Sequence, residues 1–178
     1  MNLPNKLSLA RALLIPVMVA LMYFDNRTCS LLAAAVFGAA AYTDYLDGHI
    51  ARKQGIVTDF GKFIDPVADK LLNLSAMVML TRPGLLPHWI VIVILARELC
   101  VDGLRMVAVG QGKVIAAGWL GKVKTTSQIV LVLWLLITRL PVGGNFFSGL
   151  IAAWVVFITL WSGVDYFVKN RDCVKNAK

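Results

Sequence analysis

The sequence predicts an all-α integral membrane protein: six transmembrane helices preceded by a short N-terminal interfacial helix, forming one domain over residues 1–178. Three observations predict it. Of the 178 residues, 58% are hydrophobic and only 16% charged, with a mean hydropathy of +0.73, whereas a soluble domain has about half apolar and roughly a quarter charged residues. The apolar residues come in long blocks separated by turn signals, not in an amphipathic rhythm. Finally, the cations gather in alternate connections, as they do in multi-pass proteins.

Taken in order, Met1–Arg11 mixes Pro, Asn, Lys, Ser and Arg with leucines at helical spacing, which reads as an interfacial helix. Span 1 covers about Leu9–Phe24, with Pro16 tolerated as a kink, and ends at Asp25-Asn26-Arg27. Span 2, about Thr28–Tyr45, is alanine-rich; Ala33, Ala34, Gly38 and Ala39 permit close helix approach. Arg52–Lys62 is a polar turn broken at Gly55. Span 3 runs from about Gly61 to Leu80, with Pro66 in its opening turns, where an amide donor is dispensable. After Arg82-Pro83-Gly84, span 4 (Leu86–Val109) is apolar to Ala96 and then carries Arg97, Glu98, Asp102 and Arg105. Gly110–Lys124 is a loop or interfacial segment. Span 5 covers about Thr125–Ile137, Arg139–Gly144 turns the chain, and span 6 covers about Phe146–Phe167 before a basic tail. Several spans fall short of the ~20 apolar residues of a crossing, so polar helical extensions must complete them.

Eighteen Lys and Arg stand against ten Asp and Glu, a net charge of +8. In a membrane protein this excess marks cytoplasmic loops and anionic headgroups, not nucleic acid. With six spans both termini share one side. That side holds Lys6, Arg11, Arg52, Lys53, Lys62, Lys113, Lys122, Lys124 and the tail cations Lys169, Arg171, Lys175 and Lys178; the other holds only Arg27, Arg82 and Arg139. The expected location is therefore the cell (inner or plasma) membrane, with the basic side in the cytoplasm. Cys29, Cys100 and Cys173 form no metal or disulfide pattern. The first apolar segment lacks a small-residue cleavage site, so no cleaved signal peptide is expected.

The chemistry concentrates between residues 44 and 69. Asp44, Asp47, Gly48, Ala51 and Arg52 fall at i, i+3, i+4, i+7 and i+8, and Gly61, Asp65 and Asp69 at i, i+4 and i+8, the spacings of a helix face. Four clustered carboxylates repel one another and are costly to desolvate unless a cation sits among them. Carboxylate oxygens suit Mg²⁺, Mn²⁺ or Ca²⁺. A cytoplasm-facing cluster of this kind suggests metal-assisted phosphoryl chemistry on a lipid headgroup: metals neutralise phosphate oxygens, and a spare carboxylate removes a proton from an attacking hydroxyl. Gly48 and Ala51 leave a flat helix surface, and Arg52 brings a phosphate-binding fork.

The full pattern, D-x2-D-G-x2-A-R-x8-G-x3-D-x3-D, is filled without departure and resembles the signature of the CDP-alcohol phosphatidyltransferases. The resemblance extends over essentially the whole chain. Leu-Pro-Asn-Lys-Leu-Ser-Leu-Ala-Arg at the start, Phe-Ile-Asp-Pro-Val-Ala-Asp-Lys, Ala-Arg-Glu-Leu in span 4 and Ala-Ala-Gly-Trp-Leu-Gly-Lys-Val-Lys-Thr are similar to members that use glycerol 3-phosphate. It implies that Asp44, Asp47, Asp65 and Asp69 cradle two divalent ions, Mg²⁺ or Mn²⁺, on the diphosphate of CDP-diacylglycerol, and that Asp69 is the base. It implies that Gly48, Ala51 and Arg52 contact the CDP group; Gly61 of the signature and Asn5 are further candidates for that site. The implied products are phosphatidylglycerophosphate and CMP, and a homodimer is implied. A phosphorylated acceptor, sn-glycerol 3-phosphate, requires cations. Arg97, Arg105, Lys122 and Lys124 are available, the two arginines on one face at i and i+8.

Blander readings stand beside these. Arg97 and Arg105 can form internal ion pairs with Glu98 and Asp102, and Lys122 and Lys124 can serve topology alone. His49 lies off the acidic stripe, and His88 beside Trp89 reads as interfacial. Competing functions are a sister enzyme with inositol phosphate, serine or phosphatidylglycerol as acceptor, and a divalent-cation transporter. The transporter would need acids on the outer half of the bundle, and the motif offers none there.

Overall fold

In the computed structural model, local caps set several of the helix ends. The structure describes residues 3–54, 59–113, 115 and 118–171, with side chains described for 11–43, 67–113, 115 and 118–171. Among these residues the order is α1 (Leu3–Tyr23), α2 (Arg27–Gln54), α3 (Asp59–Thr81), α4 (His88–Gly110), α5 (Trp119–Thr138) and α6 (Phe146–Lys169), with no strand. Asn26 accepts from the Cys29 amide at 2.8 Å and so opens α2. Asn145 accepts from the Phe147 and Ser148 amides at 3.0 and 3.2 Å and opens α6. At the end of α4 the Gly112 and Lys113 amides reach back to Val109 and Ala108, both at 2.9 Å, with Gly112 at φ 72°. That left-handed turn is one glycine adopts without penalty. α5 closes on a left-handed Arg139 (φ 56°), whose amide returns to Leu135 at 3.0 Å.

Three expectations are corrected. The interfacial helix is not separate from span 1: α1 is continuous from Leu3. Pro4 sits in its first turn, where no amide is needed, and neither glycine nor proline interrupts it before Pro16. The stretch before Thr125 is not all loop, because α5 begins at Trp119 behind an extended Gly118 (ψ 160°), placing Lys122 and Lys124 on helix. In α2 the close-packing residues are Ala33, Ala34 and Ala40, with Gly38 facing Leu133; Ala39 is exposed. The break expected at Gly55 and the distal tail cations lie outside the described residues.

The helices pack α1 on α2 and α3, α5 on α6, α2 and α3, and α4 on α6 and α3. Met18, Phe37, Leu72, Met77, Leu80, Ile90, Leu131 and Leu135 fill the main core, and Val101, Leu104, Ala108 and Tyr166 form a smaller one between α4 and α6. Polar stitches cross the packing. Ser30 Oγ donates to the Leu136 carbonyl at 2.7 Å, and Trp134 Nε1 donates to Ser148 Oγ at 3.0 Å. At the end of the bundle away from the aspartate pattern, Arg82 donates to the Tyr23 carbonyl at 2.6 Å and lies over its ring, Arg139 pairs with Asp25, and the Val142 amide bonds Leu85 O at 3.0 Å.

The exterior is apolar. Leu13, Val17, Ile92, Leu99, Met106, Phe157, Leu160, Trp161 and Val164 are all exposed. α5 and α6 are each long and apolar enough to cross a bilayer, and Arg11–Tyr23 is a shorter apolar helix.

Candidate active site

The last turns of α2 carry Asp44, Asp47, Gly48, Ala51 and Arg52, and the first turns of α3 carry Gly61, Asp65 and Asp69. Each half of the pattern thus lies on uninterrupted helix, and its spacings are true helical register. The side chains of these residues other than Asp69 lie outside the described set, as does that of Asn5. Among the described residues no three His, Cys, Asp or Glu come together. Asp69 is half-buried, at the wall of a small cavity of about 60 Å³ shared with Lys70, Asn73, Glu98, Lys124 and Gln128. The donor set fits a hard divalent cation on chemical grounds: four carboxylates, with the one described side chain opening onto a polar cavity.

Beneath Asp69, α3, α4 and α5 exchange charge. Glu98, 7% exposed, is the hub. It pairs with Lys124, itself 5% exposed, and receives Arg97 Nη1 at 3.4 Å and Lys70 Nζ at 4.0 Å. Lys70 also pairs with Asp102. One turn deeper than Asp69 on the same face of α3, Asn73 Nδ2 donates to Gln128 Oε1 at 3.1 Å, while Asn73 Oδ1 and Gln128 Nε2 line the interior without a protein partner.

Arg105 pairs with no acid among the described residues. Its Nε donates to the Tyr166 hydroxyl at 2.9 Å, and its guanidinium carbon lies 5.4 Å from that ring's centre. Among the described residues, Lys70, Arg97 and Lys124 face Glu98, Lys70 also faces Asp102, and Asp69 shares their cavity, while Arg105 faces a phenol.

The structure therefore gathers Arg97 and Lys124 on Glu98 and brings both Arg97 and Arg105 against α6, at Gly163 and Tyr166. Lys122 does not join them. It is exposed and lines an apolar groove between α5 and α6 with Trp119 and Trp154. Arg11 is fully buried. Sequence reasoning missed Lys70, Asn73, Gln128 and Tyr166. For Asn73 a signal existed, since it is a polar residue in an apolar run, four positions from Asp69, whereas Gln128 follows the polar run Lys124-Thr125-Thr126-Ser127 and does not stand out. Tyr166 gave none.

Residues 1–161 match the CDP-alcohol phosphatidyltransferase family. The chain is 45% identical to the CDP-diacylglycerol–glycerol-3-phosphate 3-phosphatidyltransferase of Bacillus subtilis, over 99% of this chain and 98% of that one. It is 37% identical to the Salmonella typhimurium protein of the same name, over 96% and 95% of the two chains. A probable phosphatidylglycerophosphate synthase of Mycobacterium tuberculosis is 37% identical over 94% of this chain and 81% of its own. Helical bundle, aspartate pattern and relatives agree in class: this chain belongs to the CDP-alcohol phosphatidyltransferase family, transferases of phospholipid biosynthesis. The family is generally metal-dependent.

Proposed function

We propose that the chain transfers the phosphatidyl group of CDP-diacylglycerol to sn-glycerol 3-phosphate, giving phosphatidylglycerophosphate and CMP. One observation carries this reading: the aspartate pattern lies on the end of α2 and the start of α3, and Asp69 shares a cavity with the ion-paired Lys70, Glu98 and Lys124. Full-length relatives with this activity in their names support it.

In the reaction, Asp69 takes the proton of the acceptor hydroxyl as its oxygen attacks the phosphorus that bears diacylglycerol. The P–O bond to the cytidine phosphate breaks, and CMP departs with that bond's electron pair. Asp44, Asp47, Asp65 and Asp69 would hold two divalent ions, Mg²⁺ or Mn²⁺, which neutralise diphosphate charge. Gly48, Ala51 and Gly61 keep the helix surfaces low for the CDP group, Arg52 supplies a fork for its phosphate, and Asn5 borders it. Arg105 and Arg97 take the acceptor phosphate, with Lys124 and Lys122 as further cations. Lys124 acts through its pair with Glu98, and Lys122 from the rim.

The whole chain works as one domain of six membrane spans with the aspartate end in the cytoplasm, as a homodimer. The exposed apolar exterior supports the spans, and the cation asymmetry supports the orientation. The test is CMP release by detergent-purified protein with CDP-diacylglycerol and Mg²⁺, offering glycerol 3-phosphate, inositol phosphate, serine or phosphatidylglycerol. Release with glycerol 3-phosphate alone, abolished in Asp69→Asn, is expected. Release with another acceptor would move the chain to a sister activity, and release with none would refute phosphatidyl transfer.

A further inference from the structure

We propose that Tyr166 is a positioning residue for the acceptor arginine, fixing Arg105 so that the outer edge of its guanidinium meets the phosphate of glycerol 3-phosphate. This rests on the acceptor reading given above. An arginine near the end of a helix has several rotatable bonds, and phosphate recognition by its fork requires one orientation. Something must set it. The neighbouring acid Asp102, three positions earlier, is taken by Lys70. The partner is instead a phenol from another helix: Arg105 Nε donates to Tyr166 Oη at 2.9 Å, with the guanidinium carbon 5.4 Å from the ring centre.

Binding through Nε leaves both terminal nitrogens of Arg105 for a ligand, with no carboxylate paired to them among the described residues. A carboxylate in place of the phenol would neutralise the cation, whereas a neutral hydroxyl orients it and leaves its charge intact. Tyr166 is itself fixed. It is 7% exposed, packed with Val101, Leu104 and Ala108, and its carbonyl accepts from Asn170 Nδ2 at 2.7 Å. One turn earlier on α6, Gly163 makes room for the other arginine: a Cβ there would stand 3.2 Å from Arg97 Cγ. α6 thus presents a template of Gly163 and Tyr166 on which both arginines lie.

The test is steady-state kinetics in mixed micelles with glycerol 3-phosphate and CDP-diacylglycerol varied separately. Tyr166→Phe keeps the ring and its packing but removes the acceptor oxygen. Its KM for glycerol 3-phosphate should rise about tenfold, the effect of one hydrogen bond to a charged group. Its kcat and its KM for CDP-diacylglycerol should stay within about twofold, the change expected where uniform acceptor binding alone is weakened. Arg105→Lys, which keeps the charge but has no Nε, should match it. Arg105→Gln should raise the same KM further, and adding Tyr166→Phe to it should do nothing more.

If Arg105→Gln raises the acceptor KM while Tyr166→Phe and Arg105→Lys do not, the positioning role is wrong and the acceptor site stands. If Arg105→Gln leaves the acceptor KM unchanged, the acceptor reading itself fails and takes this inference with it. A Tyr166→Phe variant that loses kcat, or affinity for both substrates alike, would make Tyr166 merely structural.

Discussion

Glu98 is the residue on which most depends. A buried ion pair contributes little relative to an apolar pair of the same shape, yet removing one partner strands the other's charge and costs about 3–5 kcal/mol. Glu98→Ala is therefore expected to lower the melting temperature sharply in detergent, because Lys124 stays buried without its partner. Glu98→Met with Lys124→Leu should recover most of that loss, measured by thermal unfolding in the same detergent. The double variant also separates two roles of Lys124. Stability regained with acceptor saturation lost would place its charge in phosphate binding, whereas both regained would make the pair purely structural. By contrast, Asp25→Asn is expected to shift the melting temperature little, since an exposed pair with Arg139 is worth about 0–1 kcal/mol.

At the scale of elements, helix ends and cross-helix stitches decide the architecture. Gly112 holds the left-handed turn that closes α4, so Gly112→Ala should destabilise by roughly 1–2 kcal/mol without touching catalysis. Asn145→Ala should cost about 1 kcal/mol through loss of the α6 cap. Thermal melts check both. The helices themselves were legible in the sequence because apolar blocks and Pro or Gly punctuation are local signals. The misjudged boundaries have local physical causes too. Leu3 to Tyr23 stays one helix because Pro4 occupies a harmless position, and α5 starts early because Gly118 supplies an extended start and Leu120 and Val123 continue the apolar rhythm. The aspartate pattern is a local signal, two sets of residues at helical gaps, and these sets lie on the end of α2 and the start of α3. The Glu98 hub was visible only as charges in a span, since its partners come from three helices. Tyr166 could not be read at all: its role depends on α4 and α6 lying side by side, which no local spacing encodes.

For the whole molecule, the charge asymmetry makes a directional prediction. Single cysteines placed at Gly143 and Lys113 in a cysteine-free background should label oppositely with a membrane-impermeant thiol reagent. The first should react in intact cells, the second only after permeabilisation. The reverse pattern would invert the orientation proposed for the active site.

The far-end clasp has a consequence for how such a chain is made. α1, α2 and α3 pack on one another and contain every aspartate of the pattern. The residues that tie the α1–α2 turn and the start of α2 to the end of α5 are far apart in the chain: Asp25 to Arg139 spans 114 positions and Ser30 to Leu136 spans 106. During synthesis the acidic half therefore emerges and can assemble first, while Arg97, Arg105, Lys122 and Lys124 are still to come. The nascent protein passes through an interval in which the half that carries the aspartate pattern precedes the half that carries Arg97, Arg105, Lys122 and Lys124. Completion of the fold is then timed by the arrival of the last three helices.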